Sequence, residues 1–118
     1  MPLDERDAAY LWDMAEICEE IEDMLEGCDE AAFLGNRLLQ RAIERDVELV
    51  GELARKTSHS FRAAHPEIAW REIIGMRNIL AHEYGRVDHQ LLYRTAVEDI
   101  PSLALRLRHI LSPDSASE

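Results

Sequence analysis

Residues 71–85, REIIGMRNILAHEYG, carry the pattern that decides the fold. Successive residues of an α-helix are rotated by about 100°, so the apolar residues of this region fall on two adjacent rows. These rows predict a buried face made of Ala69, Trp70, Ile73, Ile74, Met76, Leu80 and Ala81. A polar row follows one edge of that face and contains Arg71, Gly75, Asn78 and His82, with Arg77 at the border. The stretch is therefore predicted to be an amphipathic helix with one polar edge.

The polar edge has residue types that suit a phosphate ligand. The guanidinium of Arg77 can donate two parallel hydrogen bonds to a phosphate and stays charged. His82 is suited to proton transfer near neutral pH. Asn78, four residues earlier on the same row, can hold the imidazole or a phosphate oxygen, and Gly75 lets a ligand or a second backbone come close. A purely structural role is the alternative, because arginines often cover apolar faces and helix C-termini favour histidines.

The spacing Arg-x4-His-x-Tyr, with Asn directly after the Arg, resembles the HEPN superfamily. It is most similar to the HepT-type toxins that are paired with a small nucleotidyltransferase antitoxin. Three further stretches resemble blocks of that family in the same order, namely residues 39–52, 65–78 and 97–103. The resemblance thus covers nearly the whole chain. One departure is Gly85, which stands where family members often have a second aromatic residue after Tyr84.

The resemblance implies a metal-independent endoribonuclease toxin that needs no cofactor and no metal ion. Arg77, Asn78 and His82 would be its catalytic residues. Independently of the resemblance, the helical rows make Arg71, Gly75 and Asp46 candidates to support them or to bind substrate. One chain offers a single imidazole, so two motif helices are expected to share one cleft in a homodimer. The cognate antitoxin, a nucleotidyltransferase of the MNT type, is expected to transfer AMP onto the hydroxyl of Tyr84 and so block the RNA substrate.

A non-catalytic role is the alternative that the sequence leaves open. In it, the same HEPN-like fold binds a nucleotide or a nucleotidyltransferase and cuts no RNA. The formal net charge of −11 favours this alternative at first sight, because nucleic-acid-binding proteins are usually basic. However, residues 1–30 contain twelve acids and one arginine, so residues 31–118 are neutral overall. A local positive cleft near the motif is predicted from Arg62, Arg71, Arg77, Arg86 and Arg94.

Length and composition indicate one cytoplasmic domain. A chain of 118 residues supports a single core. No apolar run approaches the roughly 18–20 residues of a membrane span, and the N-terminus lacks the basic and apolar regions of a signal peptide. Cys18 and Cys28 lie ten residues apart and are expected to be reduced core thiols.

The apolar periodicity predicts an antiparallel up-down helical bundle with four main helices and a short one. The first helix is expected over residues 4–27 and the second from Asp29, its N-cap, to about residue 57. In the second helix, Asp46 interrupts an apolar row and is predicted to orient an arginine or histidine of the motif, or else to be a bonded core or interface acid. Gly51 predicts a close helix crossing.

After the motif helix, Asp88 is expected to cap a last helix in which Pro101 causes a kink or a restart. The all-α domain is expected to span residues 1–111. Residues 112–118 are small and polar, which predicts a disordered tail.

Overall fold

The structure, a computed structural model, describes residues 3–80 and 87–112, without the side chains of residues 77–80. Its elements in chain order are α1 (Glu5–Met24), α2 (Glu30–Leu34), α3 (Arg37–Lys56), α4 (His59–Ala64), α5 (Trp70–Leu80), α6 (His89–Arg94) and α7 (Ile100–Leu111). A π-helical turn, Thr95–Asp99, joins α6 to α7 without a break. The predicted all-α bundle is confirmed, with α1, α3, α5 and the α6–α7 rod as its main helices.

The core lies between α1, α3 and α7, and α3 carries α5 on its other side. One apolar row of α1 is buried, since Leu11, Met14, Cys18 and Ile21 are fully inaccessible. The facing row of α3 is equally buried and consists of Ile43, Val47, Val50 and Ala54. Burying such side chains contributes about 1.5–3 kcal/mol each relative to exposing them. The core therefore fixes α3, which in turn positions the motif helix.

The predicted second helix is wrong in one respect, because it is divided at Gly35–Asn36 into α2 and α3. Asp29 does cap its start, where one carboxylate oxygen accepts a hydrogen bond from the Ala32 amide at 2.8 Å. Asn36 then starts a new helix by accepting from the Leu39 amide at 3.0 Å. An Asn side chain that satisfies free amides makes such a restart favourable. The second short helix was therefore missing from the predicted bundle.

A buried carboxylate that the sequence analysis did not identify links the start of α1 to the turn after α3. Asp7 of α1 accepts hydrogen bonds from the Ser58 amide at 2.8 Å and from the Ser58 hydroxyl at 2.5 Å. Ser58 is also the N-cap of α4, because its hydroxyl accepts from the Phe61 amide. Asp7 thus fixes the turn that leads from α3 towards α5.

The last helix behaves as its sequence predicts at both marked positions. Asp88 caps α6 and accepts from the Leu91 amide at 3.0 Å. Pro101 lies in the first turn of α7, immediately after the π-helical turn. Proline lacks the amide that an α-helix requires at that point, and a π turn is a known way to absorb such a disruption. The α-helical hydrogen-bond pattern therefore resumes at Ile100 within one continuous rod. α7 ends at Leu111, and residues 113–118 of the predicted tail lie outside the described residues.

Candidate functional site

The motif helix α5 is held against α3 at a glycine crossing. A Cβ atom placed on Gly51 would lie 3.0 Å from the carbonyl oxygen of Ile73. The close approach predicted at Gly51 is thus confirmed. At the start of α5, the indole of Trp70 donates a hydrogen bond to the carbonyl of His65 at 2.9 Å. These contacts fix the position and rotation of the helix that carries the motif.

The buried face predicted for α5 is largely correct. Trp70, Ile73 and Met76 are buried, and Ile74 is half-buried. Ala69 is exposed instead, because the helix begins at Trp70 and Ala69 precedes its first turn. Ile68 is buried instead of Ala69.

Arg77 and Asn78 lie in the last turn of α5, whose backbone the structure describes. Their side chains, and the whole of His82 and Tyr84, lie outside the described residues. The roles assigned to these four residues from the sequence therefore stay predictions.

The polar edge of α5 is open where the structure describes it. Arg71 is exposed in the first turn. One turn later, no atom lies within 4 Å of a Cβ placed on Gly75. This edge therefore has room for a ligand or for a second chain.

Asp46 is half-buried and lies beside Glu20 of α1. Burial first, and then the hydrogen bond and negative charge of Glu20, raise the pKa of Asp46 to about 6, whereas Arg45 lowers it. Its Oδ2 atom is buried and has no hydrogen-bond partner among the described residues. Asp46 therefore lies at the interface with α1, where an interface acid was one of the expected alternatives. Its predicted action on the motif side chains involves residues outside the described set.

A basic pocket, which the sequence did not predict, lies where α2 meets α3 and the start of α6. It has a volume of about 550 Å³, and Gly35, Arg37, Arg41, Glu44, Val87 and His89 are among its lining residues. Arg37 and Arg41 are exposed, and His89 is half-buried. The only signal in the sequence was an Arg-x3-Arg pair after Asn36, which places both cations on one helical face. Of the five arginines that were expected to form a cleft, none lines this pocket among its described residues.

An acidic groove occupies the other half of α3. Its volume is about 690 Å³, and α1 and α3 form its walls. Six acids line it, namely Asp13, Glu16, Glu19, Glu20, Asp23 and Glu52, with Lys56 as the one cation among the described lining residues. Acids of α1 thus line a concave surface.

The two cysteines are free. Cys18 is fully buried, and burial raises the pKa of its thiol to about 12, so it stays protonated and unreactive. Cys28 is only half-buried, in contrast to the core position expected for it, and α1 ends at Met24 and not at residue 27 as expected. Among the described residues, no group of three or more histidine, cysteine or acidic side chains is arranged to hold a metal ion. In the same part of the chain, no helix is both long enough and apolar enough to cross a membrane.

A model of the ribonuclease HepT-like family matches residues 14–110. A Thermococcus cleftensis protein, provisionally named ribonuclease HepT, is 42% identical over 94 residues, which cover 80% of this chain and 86% of that protein. A Methanocaldococcus jannaschii protein provisionally named as an RNase is 33% identical over 95 residues, covering 80% of this chain and 87% of its own. A similarly named protein of Caldanaerobacter subterraneus is 31% identical over 105 residues, covering 89% and 94%.

No solved structure matches the chain. The family match includes α5, the segment after it and the helices that position both. Since it spans most of the sequence, and several relatives exceed 30% identity over nearly their full length, this helical chain belongs to the HepT-like ribonuclease family of HEPN proteins.

Proposed function

We propose that this protein is a metal-independent endoribonuclease and the toxin of a toxin–antitoxin pair. The observation that carries the proposal is the family match over residues 14–110, which contains Arg77, Asn78, His82 and Tyr84 in the spacing of the motif. Relatives named as RNases support the activity. The open polar edge at Gly75 supports access by RNA or by a second subunit.

In the proposed reaction, the 2′-hydroxyl of one nucleotide attacks the adjacent phosphorus and loses its proton to a histidine. The bond from phosphorus to the 5′-oxygen breaks, and that oxygen takes a proton from a second acid. The products are a 2′,3′-cyclic phosphate and a free 5′-hydroxyl. Arg77 stabilises the negative charge that develops on the phosphate oxygens, His82 transfers protons, and Asn78 orients the imidazole.

The two proton transfers explain why a homodimer belongs to the proposal. One chain supplies a single motif histidine, whereas the reaction needs a base and an acid at the same phosphate. Two chains that pack along the Gly75 edge of α5 place both copies of His82 at one cleft. Arg71, on the same edge, then extends the positive surface on which the RNA lies.

Control of the toxin is proposed to act at Tyr84. A partner nucleotidyltransferase of the MNT type transfers AMP from ATP to the phenolic hydroxyl and releases pyrophosphate. The attached phosphate and nucleoside then exclude RNA from the neighbouring Arg77 and His82 by charge and by size.

The decisive experiment compares wild-type protein with His82→Ala and Tyr84→Phe on total RNA in the presence of EDTA. Wild type and Tyr84→Phe are expected to cut RNA and leave cyclic phosphate ends, whereas His82→Ala is expected to lose at least about 100-fold in rate. Incubation with the partner and ATP should silence wild type but not Tyr84→Phe. Cleavage that requires a divalent ion, or that survives in a folded His82→Ala protein, contradicts the proposal.

A non-catalytic binding module is the second candidate, and the acidic groove favours it. Six carboxylates on one side of the molecule weaken general attraction to RNA. In this case folded wild-type protein binds the nucleotidyltransferase or a nucleotide and cuts no RNA under any of the conditions above.

A further inference from the structure

We infer that the basic pocket at the start of α3 binds the phosphodiester backbone of single-stranded RNA next to the cleavage site. This inference rests on the proposed ribonuclease function and adds a second anchoring point for the substrate. It assigns a role to Arg37, Arg41 and His89, which do not belong to the motif.

The first argument is the composition of the pocket. Two guanidiniums and an imidazole from sequence-distant elements converge on a volume of about 550 Å³, with Glu44 as the opposing carboxylate. Arg37 and Arg41 form no ion pair within the described part of the chain, although Arg45 on the same helix pairs with Glu48 at 3.7 Å. Unpaired arginines are free to give bidentate hydrogen bonds to phosphate.

The second argument is the backbone beside these side chains. The pocket wall includes Gly35 and Arg37, which flank the N-cap of the 20-residue helix α3. The positive end of the helix dipole therefore adds to the arginine charges. It supports an anionic ligand but would not be sufficient without the converging side chains.

The third argument is the position of the pocket along the chain. Val87, which lines it, is the third residue after Tyr84 and the fifth after His82. Three residues span at most about 11 Å and five residues at most about 18 Å. The pocket wall is therefore covalently close to the segment that carries the proposed proton-transfer group. An RNA that is cleaved beside this segment can therefore place its adjoining phosphates against Arg37 and Arg41.

The fourth argument is the charge of the whole chain. At a formal net charge of −11, the protein does not attract RNA in general. Binding must then depend on local positive surfaces. In the part of the chain that the structure describes, the basic pocket brings two unpaired arginines to one cavity.

The test uses a single-stranded RNA oligonucleotide with 2′-O-methyl groups, which lacks the attacking hydroxyl and stays uncut. Its affinity for the full-length protein is measured by fluorescence anisotropy at several salt concentrations. For single strands, the logarithm of affinity falls with the logarithm of salt by about 0.7 per phosphate contact. The Arg37→Gln/Arg41→Gln variant is expected to bind more weakly and to lose about 1.4 from the magnitude of this slope.

The matched control is Arg45→Gln/Arg55→Gln, which removes the same charge from exposed positions of α3 outside the pocket. It is expected to keep the wild-type slope, and circular dichroism verifies that both variants are folded. Equal slopes for the two double variants overturn the inference. Cleavage of unmodified RNA by wild type is scored separately, so binding with a pocket-dependent slope but no cleavage overturns the proposed function alone. Absence of RNA binding by wild type overturns both.

Discussion

Folding raises the pKa of Asp46, because burial and the neighbouring Glu20 carboxylate across the α1–α3 interface disfavour its ionised form. Its pKa of about 6 lies above the ordinary value of 3.8. The folded state therefore binds a proton more tightly than the unfolded state between these two values. By linkage, the pair destabilises the fold above about pH 6 and is relieved as the pH falls towards 4.

The first prediction is that Asp46→Asn stabilises the protein at pH 7. An amide resembles the protonated acid and removes the repulsion with Glu20. The expected gain in unfolding free energy is about 1 kcal/mol, which allows for solvent screening of a partly exposed pair. Urea unfolding at pH 7 and at pH 5 measures it, and the advantage over wild type should shrink at the lower pH. An equal or larger advantage at pH 5 would contradict the assignment.

Gly51 of α3 and Gly75 of α5 are expected to respond in opposite directions when each is replaced by alanine. Gly51→Ala places a methyl group 3.0 Å from the Ile73 carbonyl oxygen, so α3 and α5 must separate. We expect a loss of about 1–3 kcal/mol, which exceeds the gain of up to about 1 kcal/mol in helix propensity. Chemical denaturation followed by circular dichroism measures the change, and a stabilised variant would show that the crossing is looser than described.

Gly75→Ala is the counterpart, because a methyl group there meets no other element within 4 Å among the described residues. At low protein concentration we expect stabilisation by up to about 1 kcal/mol. If the second subunit packs on this edge, as proposed, the same methyl group weakens dimerisation and RNA cleavage. Thermal unfolding and sedimentation velocity separate the two effects. A variant that is stabilised and dimerises like wild type would place the dimer contact elsewhere.

Periodicity in the sequence predicted which faces are buried, because an apolar row at helical spacing marks the side of a helix that packs against its neighbours. A glycine within a helix predicted the crossing at Gly51, and the capping preference of aspartate predicted the cap at Asp88. The restart at Asn36 depends on one hydrogen bond from a backbone amide to the Asn36 side chain. This bond competes with continuation of the preceding helix, and helix propensities do not predict the outcome. The pairing of Asp46 with Glu20, and the approach of His89 to Arg37 and Arg41, required the positions of helices far apart in the chain.

For the whole molecule, the main feature is the separation of charge along α3. The basic pocket lies around its first two turns and the acidic groove along its second half. Arg41 and Leu53, one from each region, are about 18 Å apart along the helix axis. In water, a charge at about 20 Å contributes about 0.2 kcal/mol. The acidic groove therefore opposes RNA binding weakly and only at low ionic strength.

The corresponding prediction concerns the exposed acids Asp13, Glu16 and Glu19. Replacing them with Asn, Gln and Gln is expected to strengthen binding of the 2′-O-methyl RNA about threefold at 10 mM salt. At 150 mM salt, where the screening length is about 8 Å, the gain should vanish. Anisotropy titrations at both salt concentrations measure it. A gain that persists at 150 mM would mean that these acids lie close to the bound RNA.

A basic pocket beside one end of α3 and an acidic groove beside the other also give the molecule an electric dipole moment. The field of a polyanion exerts a torque on this moment, which turns the Arg37 end towards the polyanion and the groove carboxylates away from it. A freely tumbling protein is thus oriented before it touches its target, and fewer collisions are lost to the wrong side.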